Sequence, residues 1–234
     1  MFNYFKRFLH RTIKRQVRSM GYEVARAGWE TQRLRKDFQI NTLIDVGVFQ
    51  GTPELYAAFP LAQLLLVDAS PFSWPVIDRI MTERAGYGAK IAVGSAGGEL
   101  DFYSYPDAPG LSSFLLRAEH AKFQRELIKV PIKPLDEIVA ASGLSGPFGL
   151  KIDIEGFELE ALRGATETLK STEFVLFESQ IESIEPRPYS QAEIFAFLDA
   201  AGFDLYDILG VAYDHASRST KQADFMFRRV SKAA

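Results

Sequence analysis

The sequence predicts an α/β fold with a doubly wound, mostly parallel sheet. From residue 41 onward, short and continuous apolar runs alternate with segments of helical apolar spacing. Continuous apolarity is typical of parallel strands that are covered on both faces. Strands that alternate with helices are joined by right-handed crossovers, which place helices on both sides of the sheet.

The first predicted element is an amphipathic helix over residues 2–26. Its apolar residues recur at steps of three and four, and most of its basic residues fall on the opposite side. Two interpretations stay open: the helix packs on the domain with its basic face in water, or it binds an anionic membrane or a partner protein. We treat residues 1–36 as a separate basic segment with a net charge of +8, because residues 37–234 carry −11. The acidic body argues against a nucleic-acid partner.

The remaining elements follow in order along the chain. Apolar runs predict six strands, at residues 42–46, 64–68, 90–93, 148–154, 173–178 and 223–227. Helices are expected to begin at Pro53, with Thr52 as N-cap, and to cover 158–169 and 190–200, with Gly202 after the last of them. Residues 208–222 are expected to form a long loop. Within the domain at 37–234, residues 95–135 are predicted to be an insertion with β segments at 99–105 and 128–135, which borders the mouth of the site.

Composition excludes several kinds of site. The chain has no cysteine, which excludes disulfides, cysteine-ligated zinc and thiolate nucleophiles. Its three histidines lie far apart and lack the spacing of metal ligands. No stretch approaches the roughly 20 apolar residues of a membrane-spanning helix, and the N-terminus lacks the apolar core of a secretory signal. We therefore expect a cytoplasmic protein, located at the inner face of the membrane if residues 2–26 bind lipid.

A turn that contains two glycines follows the first predicted strand. Asp45 lies near the end of this strand, and Gly47 and Gly51 come before the next helix. Doubly wound sheets bind ligands beyond the carboxyl ends of their strands, where glycine lets the backbone approach closely. The third glycine of the dinucleotide fingerprint is missing. Because a buried acid is costly without a partner, Asp45 predicts a ligand ammonium or backbone donors beside it, while a plain structural turn is the alternative.

Asp68 closes the second predicted strand. It lies 17 residues after Gly51, close to the offset of about 20 residues at which an acid binds both hydroxyls of a ribose. The alternative is a helix N-cap. Together, Asp45 and Asp68 favour a ligand that contains adenosine but no pyrophosphate.

Charged residues alternate with isoleucine at the end of the strand predicted over 148–154. Lys151, Asp153 and Glu155 are expected on one face of this strand, and the two isoleucines on the other. Charges on one side of a central strand must pair with one another or with a ligand when they are buried. The pattern therefore predicts a catalytic edge, and a structural Lys–Asp pair is the alternative.

The segment LKIDIEGFELEALRGA, residues 150–165, resembles the signature of the FkbM family of methyltransferases. The similarity covers about residues 42–229 and is carried, in family order, by IDVGVFQGTPELY, VDASP, IAVGSAGGELDFY, the serine pair at 112–113, VPIKPLDEI and VLFES. The family implies a Rossmann-like class I methyltransferase fold with seven strands, the last of them antiparallel. It also implies S-adenosylmethionine as cofactor, often for O-methylation in polysaccharide, glycolipid or secondary-metabolite pathways. The chain departs from the family pattern at VFQ in the first loop and at DASP after the second strand, which indicates a subfamily with another acceptor.

The resemblance also implies roles for individual residues. The methionine end of the cofactor is expected at Asp45, Gly47 and Gly51, the ribose at Asp68, the adenine at Val93 and Gly94, and the methyl centre at Asp153 with Lys151 and Glu155 beside it. Val48 and Ala69 are expected as further cofactor contacts.

An alcohol acceptor also needs a general base. We predict Asp153 or Glu155 in this role, with Lys151 tuning their charge, and His120 and His215 as rival bases. Candidate acceptor contacts are Ser113, Tyr103 and His215, although an apolar seam also explains Tyr103. A divalent ion held by Asp153 and Glu155 has weak support, and no other metal site is predicted.

Two alternatives from other functional classes stay open. A nicotinamide-dependent oxidoreductase shares the fold, but the missing third glycine disfavours it. A non-catalytic protein that docks on a membrane or a partner through residues 1–26 is the second. The sequence favours a small-molecule or glycan acceptor without identifying it, and it leaves a homo-oligomer open.

Overall fold

The computed structural model describes residues 29–181, 188–214 and 217–230. The predicted helix over residues 2–26 and the candidate residue His215 lie outside the described residues. The division at residue 36 stays a prediction.

The described residues form ten strands. These are β1 Thr42–Val46, β2 Gln63–Val67, β3 Gly86–Ala89, β4 Ala92–Val93, β5 Gly98–Ser104, β6 Glu126–Lys133, β7 Phe148–Ile152, β8 Thr172–Gln180, β9 Phe203–Tyr213 and β10 Thr220–Arg229. Seven of them make one sheet with the order β3-β2-β1-β7-β8-β10-β9. Every pairing in this sheet is parallel except those of β10, which is antiparallel to both β8 and β9. This confirms the predicted fold class, including the antiparallel last strand.

The described residues also form seven α-helices. These are α1 Trp29–Asp37, α2 Pro53–Ala58, α3 Trp74–Glu83, α4 Leu135–Ser142, α5 Glu158–Arg163, α6 Thr166–Lys170 and α7 Gln191–Ala200. Helix α7 begins as predicted, with a capping box between Ser190 and Glu193. The helix predicted over 158–169 is instead two helices, which meet where Gly164 packs against the carbonyl oxygen of Gly94 so closely that a Cβ atom would lie 2.0 Å from it.

The sheet is buried on both faces, which is why its central strands are apolar without alternation. Neighbouring residues of one strand belong to different hydrophobic clusters. Ile44 packs with Leu150 and Phe177 on one face, whereas Leu43 packs with Phe174 on the other. The core therefore consists of two layers separated by the sheet, and the site lies where the central strands end.

Two sequence-based predictions are wrong. The third strand of the main sheet is β3, not residues 90–93, since β4 pairs with β6 in a second sheet of order β4-β6-β5. Residues 208–222 are mostly strand rather than loop, because β9 extends to Tyr213 and β10 begins at Thr220. Strands β3 and β9 both form edges of the main sheet, where exposure weakens the apolar pattern.

The segment between β5 and β6 connects the two strands of an antiparallel pair and contains two short 3₁₀ turns. The predicted β segments at 99–105 and 128–135 correspond to β5 and β6 with boundaries shifted by one or two residues. In the part of the chain that the structure describes, no helix has the length and apolarity needed to cross a membrane.

Candidate active site

A cavity of about 280 Å³ lies beyond the carboxyl ends of the central strands. Three parts of the chain form its wall. The main sheet contributes Gly47, Phe49, Asp68, Ala69, Asp153, Glu155, Glu178 and Gln222, the region of β4 contributes Ile91, Ala92 and Val93, and the segment from β5 to β6 contributes Phe102, Pro109, Gly110, Ser112 and Phe114. Asp153, Glu155 and Glu178 lie together in this wall, and we call the part that they form the acidic end of the cavity.

The turn after β1 brings two strand ends into close contact. Gly47 has a φ of +85°, and a Cβ atom at this position would lie 1.7 Å from the carbonyl oxygen of Asp153. Gly51 also has a positive φ, of +89°. At Gly47, glycine is therefore required by both conformation and space.

Asp45 is completely buried, and its partners are side chains of the chain itself. Its Oδ2 accepts hydrogen bonds from the hydroxyls of Tyr56 at 2.5 Å and Thr52 at 3.2 Å. The ammonium of Lys151 lies 3.1 Å from its Oδ1. Burial and the charge of Asp45 raise the pKa of Tyr56, which keeps this hydroxyl protonated. Thr52 is the N-cap residue of α2, as the sequence predicted, but its hydroxyl donates to Asp45 and makes no capping hydrogen bond to the helix.

Lys151 joins the turn after β1 to the end of β7. Its ammonium donates to the carbonyl oxygen of Gly47 at 2.7 Å and also lies 3.4 Å from Oδ2 of Asp153. Burial opposes the charge of Lys151, but the carboxylates of Asp45 and Asp153 outweigh it and raise the pKa of the ammonium. Lys151 therefore stays charged and neutralises part of the acidic end. The sequence left a structural Lys–Asp pair open as the alternative, and the ion pair of Lys151 with the buried Asp45 is a pair of this kind.

Asp68 lies in the wall of the cavity, between the strand end and the turn. Its Oδ1 accepts from the amide of Ser70 at 2.7 Å, and its Oδ2 accepts from the amide of Phe49 at 3.0 Å. Burial raises the pKa of Asp68, and these backbone donors oppose the shift. The N-cap of α3 is Ser73, so the helix-capping alternative for Asp68 does not hold.

Three acids meet at the acidic end. Asp153 and Glu155 follow β7, Glu178 belongs to the neighbouring β8, and one carboxylate oxygen of each lies within 4.8 Å of the others. Burial raises the pKa of Glu155 to about 7, although Arg117 opposes the shift. Burial, and then the charges of the nearby acids, raise the pKa of Glu178 to about 8. Such a group can hold a proton at neutral pH, and its oxygen atoms are of the kind that bind a divalent ion.

Glu178 is a site residue that the sequence analysis missed. Glu178 closes the predicted apolar strand at 173–178, as Asp68 closes the second strand. An acid at the end of an apolar strand was the sign used for Asp45 and Asp68, and it also identifies Glu178. The amide of Gln222, from β10, donates to its Oε2 at 2.9 Å. Gln222 was not predicted because it lies in a region expected to be loop.

Several predicted site residues lie outside the cavity wall. Val48, Gly51 and Gly94 are near it but do not line it. Ser113 is buried and donates to the carbonyl oxygen of Glu155 at 2.8 Å. Tyr103 is half-buried, with the guanidinium of Arg125 over its ring. The ring of His120 is buried and packs edge-on against Tyr105. The roles expected for these residues stay predictions.

Comparisons with known proteins agree with the similarity noted in the sequence. The model of a family described as the methyltransferase FkbM domain matches residues 45–205. A search of curated proteins finds no match. Among solved structures, similar folds include the precorrin-6y C5,15-methyltransferase of Geobacter metallireducens, with 11% identity, 87% of each chain covered and a TM-score of 0.47.

Two further solved structures are similar to this chain. The N-methyltransferase NodS of Bradyrhizobium japonicum, in complex with S-adenosyl-L-homocysteine, has 9% identity and a TM-score of 0.48, with 87% of this chain and 86% of that chain covered. The magnesium protoporphyrin IX methyltransferase ChlM of Synechocystis, with bound SAM, has 10% identity and a TM-score of 0.45, with 94% of this chain and 91% of that chain covered.

Proposed function

Since the chain belongs to the FkbM family of methyltransferases, we propose that it methylates a hydroxyl oxygen of a sugar, a glycolipid or another small hydroxylated acceptor, with S-adenosylmethionine as methyl donor. The observation that carries the proposal is the group of three acids, Asp153, Glu155 and Glu178, at one end of a cavity that also contains Asp68.

The residues of the cavity fit the cofactor by their chemistry. Asp68 accepts hydrogen bonds from the amides of Phe49 and Ser70 and lies in the cavity wall, and a carboxylate can accept from the two hydroxyls of a ribose as well. Ile91 and Val93 offer apolar contacts suited to the face of an adenine ring. When bound, the cofactor supplies a methyl group on a sulfonium centre.

The acids suit a hydroxyl acceptor because an alcohol must lose its proton as its oxygen is methylated. With a pKa of about 7, Glu155 is ionised in a substantial fraction of molecules at neutral pH and can accept that proton. Glu178, with a pKa of about 8, is mostly protonated there and can donate a hydrogen bond to an acceptor oxygen. Asp153 follows β7 and lines the cavity, with the ammonium of Lys151 beside its carboxylate. It supplies a negative charge next to the position proposed for the acceptor.

Incubation of the protein with S-adenosylmethionine labelled in its methyl group tests the proposal. Lipid and glycan fractions of the host serve as acceptors, and the label is located in the purified product by mass spectrometry and hydrolysis. We expect an O-methyl ether on a sugar or a glycolipid. An N-methyl or C-methyl product would overturn the assignment to oxygen while leaving the methyltransferase assignment in place.

The variant Asp153→Asn tests the acidic end. We expect methyl transfer to fall by roughly 100-fold or more, because a charge beside the reacting atoms is lost. Asp101→Asn is the matched control, since Asp101 lies on β5 and pairs with the exposed Lys129. Equal activity of the two variants would remove the acidic end from the mechanism.

Calorimetry separates this proposal from an oxidoreductase. We expect the protein to bind S-adenosylhomocysteine and not NAD. Binding of NAD alone would favour the alternative with a nicotinamide cofactor. Binding of neither compound by folded protein would favour a non-catalytic role.

A further inference from the structure

One buried cation of the segment between β5 and β6 contacts the acidic end of the cavity. This cation is Arg117, whose side chain is only 5% exposed. Its Nη1 donates to Oε2 of Glu155 at 3.2 Å, and its Nη2 donates to the carbonyl oxygen of the same residue at 3.0 Å. Both guanidinium contacts are thus directed at Glu155, one at its side chain and one at its backbone. The third nitrogen, Nε, makes no hydrogen bond.

Glu155 needs such support because its backbone conformation is uncommon. Its φ is +56°, a left-handed value that residues other than glycine adopt at a cost. Gly156 follows with a φ of +99°, and a Cβ atom there would lie 2.6 Å from Leu115 and 3.0 Å from Nη2 of Arg117. The hydroxyl of Ser113 donates to the same carbonyl oxygen of Glu155. One segment of the chain therefore holds this turn through three residues.

Charge adds a second reason for the contact. The groups that face Glu155 are the acids Asp153, Glu158 and Glu178 and the cation Arg117. The nearby ammonium of Lys151 is already shared between Asp45 and Asp153. Among the residues that the structure describes, Arg117 is thus the cation that pairs with Glu155. Without it, repulsion from the other acids would favour a side chain turned out of the cavity.

We propose that Arg117 is a positioning residue, which fixes the carboxylate of Glu155 at the acceptor end of the cavity. The inference rests on the proposed function, because Glu155 is one of the acids assigned there to the acceptor. The segment that holds Arg117 also contributes Phe114 to the cavity wall, and the preceding strand β5 contributes Phe102. The same segment therefore both completes the wall of the cavity and orients the acid.

Two substitutions test the proposal, with a control on the same segment. Arg117→Met removes the charge and keeps a long side chain, and Arg117→Lys keeps the charge without the planar pair of donors. Arg125→Met is the control, since this guanidinium lies over the ring of Tyr103 and makes no ion pair with Glu155. Each variant is prepared as the full chain.

The first readout is steady-state methyl transfer to the acceptor fraction that the labelling experiment identifies. For Arg117→Met we expect kcat to fall roughly 10- to 100-fold. The KM for S-adenosylmethionine and the dissociation constant of S-adenosylhomocysteine should stay within about twofold of the wild-type values. Arg117→Lys should recover part of kcat, and Arg125→Met should behave as wild type. In the background of Glu155→Gln, the substitution of Arg117 should lower kcat no further, because its target is already changed.

The second readout is independent of any acceptor. Hydrogen exchange, measured by mass spectrometry on peptides that cover residues 150–160, should be faster in Arg117→Met than in wild type and unchanged in Arg125→Met. Wild-type protein that binds no S-adenosylhomocysteine and transfers no methyl group would overturn the proposed function, whereas the exchange data would still decide whether Arg117 fixes the turn.

Three results would overturn the positioning role. The first is a kcat of Arg117→Met equal to that of Arg125→Met. The second is a parallel loss of kcat, cofactor affinity and melting temperature, which would indicate a general structural role. The third is a full additional loss in the Glu155→Gln background. If Arg117→Met does not fold, Arg117→Lys is judged by the same kcat and exchange measurements.

Discussion

Strained backbone conformations are concentrated at the cavity. Three residues other than glycine have a positive φ among the described residues, and two of them, Phe49 at +44° and Glu155 at +56°, line the cavity. The third, Arg218, lies in the connection between β9 and β10. Such conformations persist only where the surrounding contacts enforce them. At Phe49 the enforcing contact is its amide, which donates to Asp68, and at Glu155 it is the pair of hydrogen bonds that its carbonyl oxygen accepts from Arg117 and Ser113.

Gly47→Ala tests the close approach of the two strand ends. The new methyl group would meet the carbonyl oxygen of Asp153 at 1.7 Å, at a φ of +85°. Because neither group is a flexible side chain, we expect the free energy of unfolding to fall by roughly 2–5 kcal/mol. Gly97→Ala is the matched control, since its Cβ would find its nearest neighbour at 3.8 Å. Equal denaturation midpoints for the two variants would contradict the tight contact.

The raised pKa values of Glu155 and Glu178 predict how stability depends on pH. Both acids bind a proton more tightly in the folded protein, at about 7 and about 8, than at the ordinary value of 4.5. Their contribution to the free energy of unfolding is therefore complete below about pH 4.5 and is lost as the pH rises through 7 to 8.

Glu178→Gln should remove much of this dependence. We expect its melting temperature to exceed that of wild type by about 2–4 °C near pH 8.5, which corresponds to ~1 kcal/mol after discounting for partial exposure. The difference should be smallest near pH 4.5, because the wild-type carboxyl group is then protonated in the folded protein and about half protonated in the unfolded chain. Glu99→Gln, at an exposed position on β5, is the control. A variant that is less stable than wild type at both pH values would show that the acid forms a favourable contact instead.

At the scale of elements, the sequence predicts strands that are buried on both faces and misses the edges. Strands β1, β2, β7 and β8 were found within two residues of their bounds because both of their faces are covered. Edge strand β3 contains two glycines in GYGA, and edge strand β9 is largely exposed, so neither has a continuous apolar run. Residues 90–93 were predicted as a strand, but no local pattern indicates which of two sheets a strand joins.

Site residues were predictable where the local sequence marks them, and not where only a tertiary contact brings them to the site. Asp45, Asp68 and Asp153 stand out because a charge at the end of an apolar run is conspicuous in the sequence. Arg117 lies in a segment without periodicity, and only the docking of that segment brings it to Glu155. Tertiary contacts of this kind leave no mark on local sequence.

Tyr56→Phe tests how helix α2 supports the buried acid of β1. The substitution removes a hydroxyl that Asp45 accepts and leaves the carboxylate with fewer donors. We expect the free energy of unfolding to fall by roughly 1–3 kcal/mol, as for other buried acceptors that lose a partner. Tyr87→Phe is the control, because Tyr87 is 41% exposed. Chemical denaturation of both variants measures the difference, and an unaffected Tyr56→Phe would mean that Thr52 and Lys151 suffice to satisfy Asp45.

At the scale of the whole molecule, charge is divided along the chain. Residues 1–36, the basic segment, hold ten basic residues and two acids, Glu23 and Glu30, although the full chain has a net charge of −3. The cavity, by contrast, is acidic at the end assigned to the acceptor. We propose that the basic segment attaches the enzyme to an anionic membrane surface, where a glycolipid acceptor would also be found. Attraction of this kind weakens as salt screens the charges.

Binding to lipid vesicles tests this attachment. We expect the full chain to sediment with vesicles that contain roughly 30% phosphatidylserine at about 0.05 M salt, and to be released at about 0.5 M salt. The triple variant Arg11→Glu, Lys14→Glu and Arg15→Glu should lose binding. A second triple variant, Arg79→Glu, Lys122→Glu and Lys221→Glu, changes the net charge by the same amount at exposed positions of the body and should retain vesicle binding.

Two outcomes would contradict the attachment. Equal loss of binding in both variants would indicate that net charge, and not the N-terminal segment, governs binding. Equal binding to uncharged vesicles would exclude an electrostatic attachment, because phosphatidylcholine offers the basic residues no net negative surface.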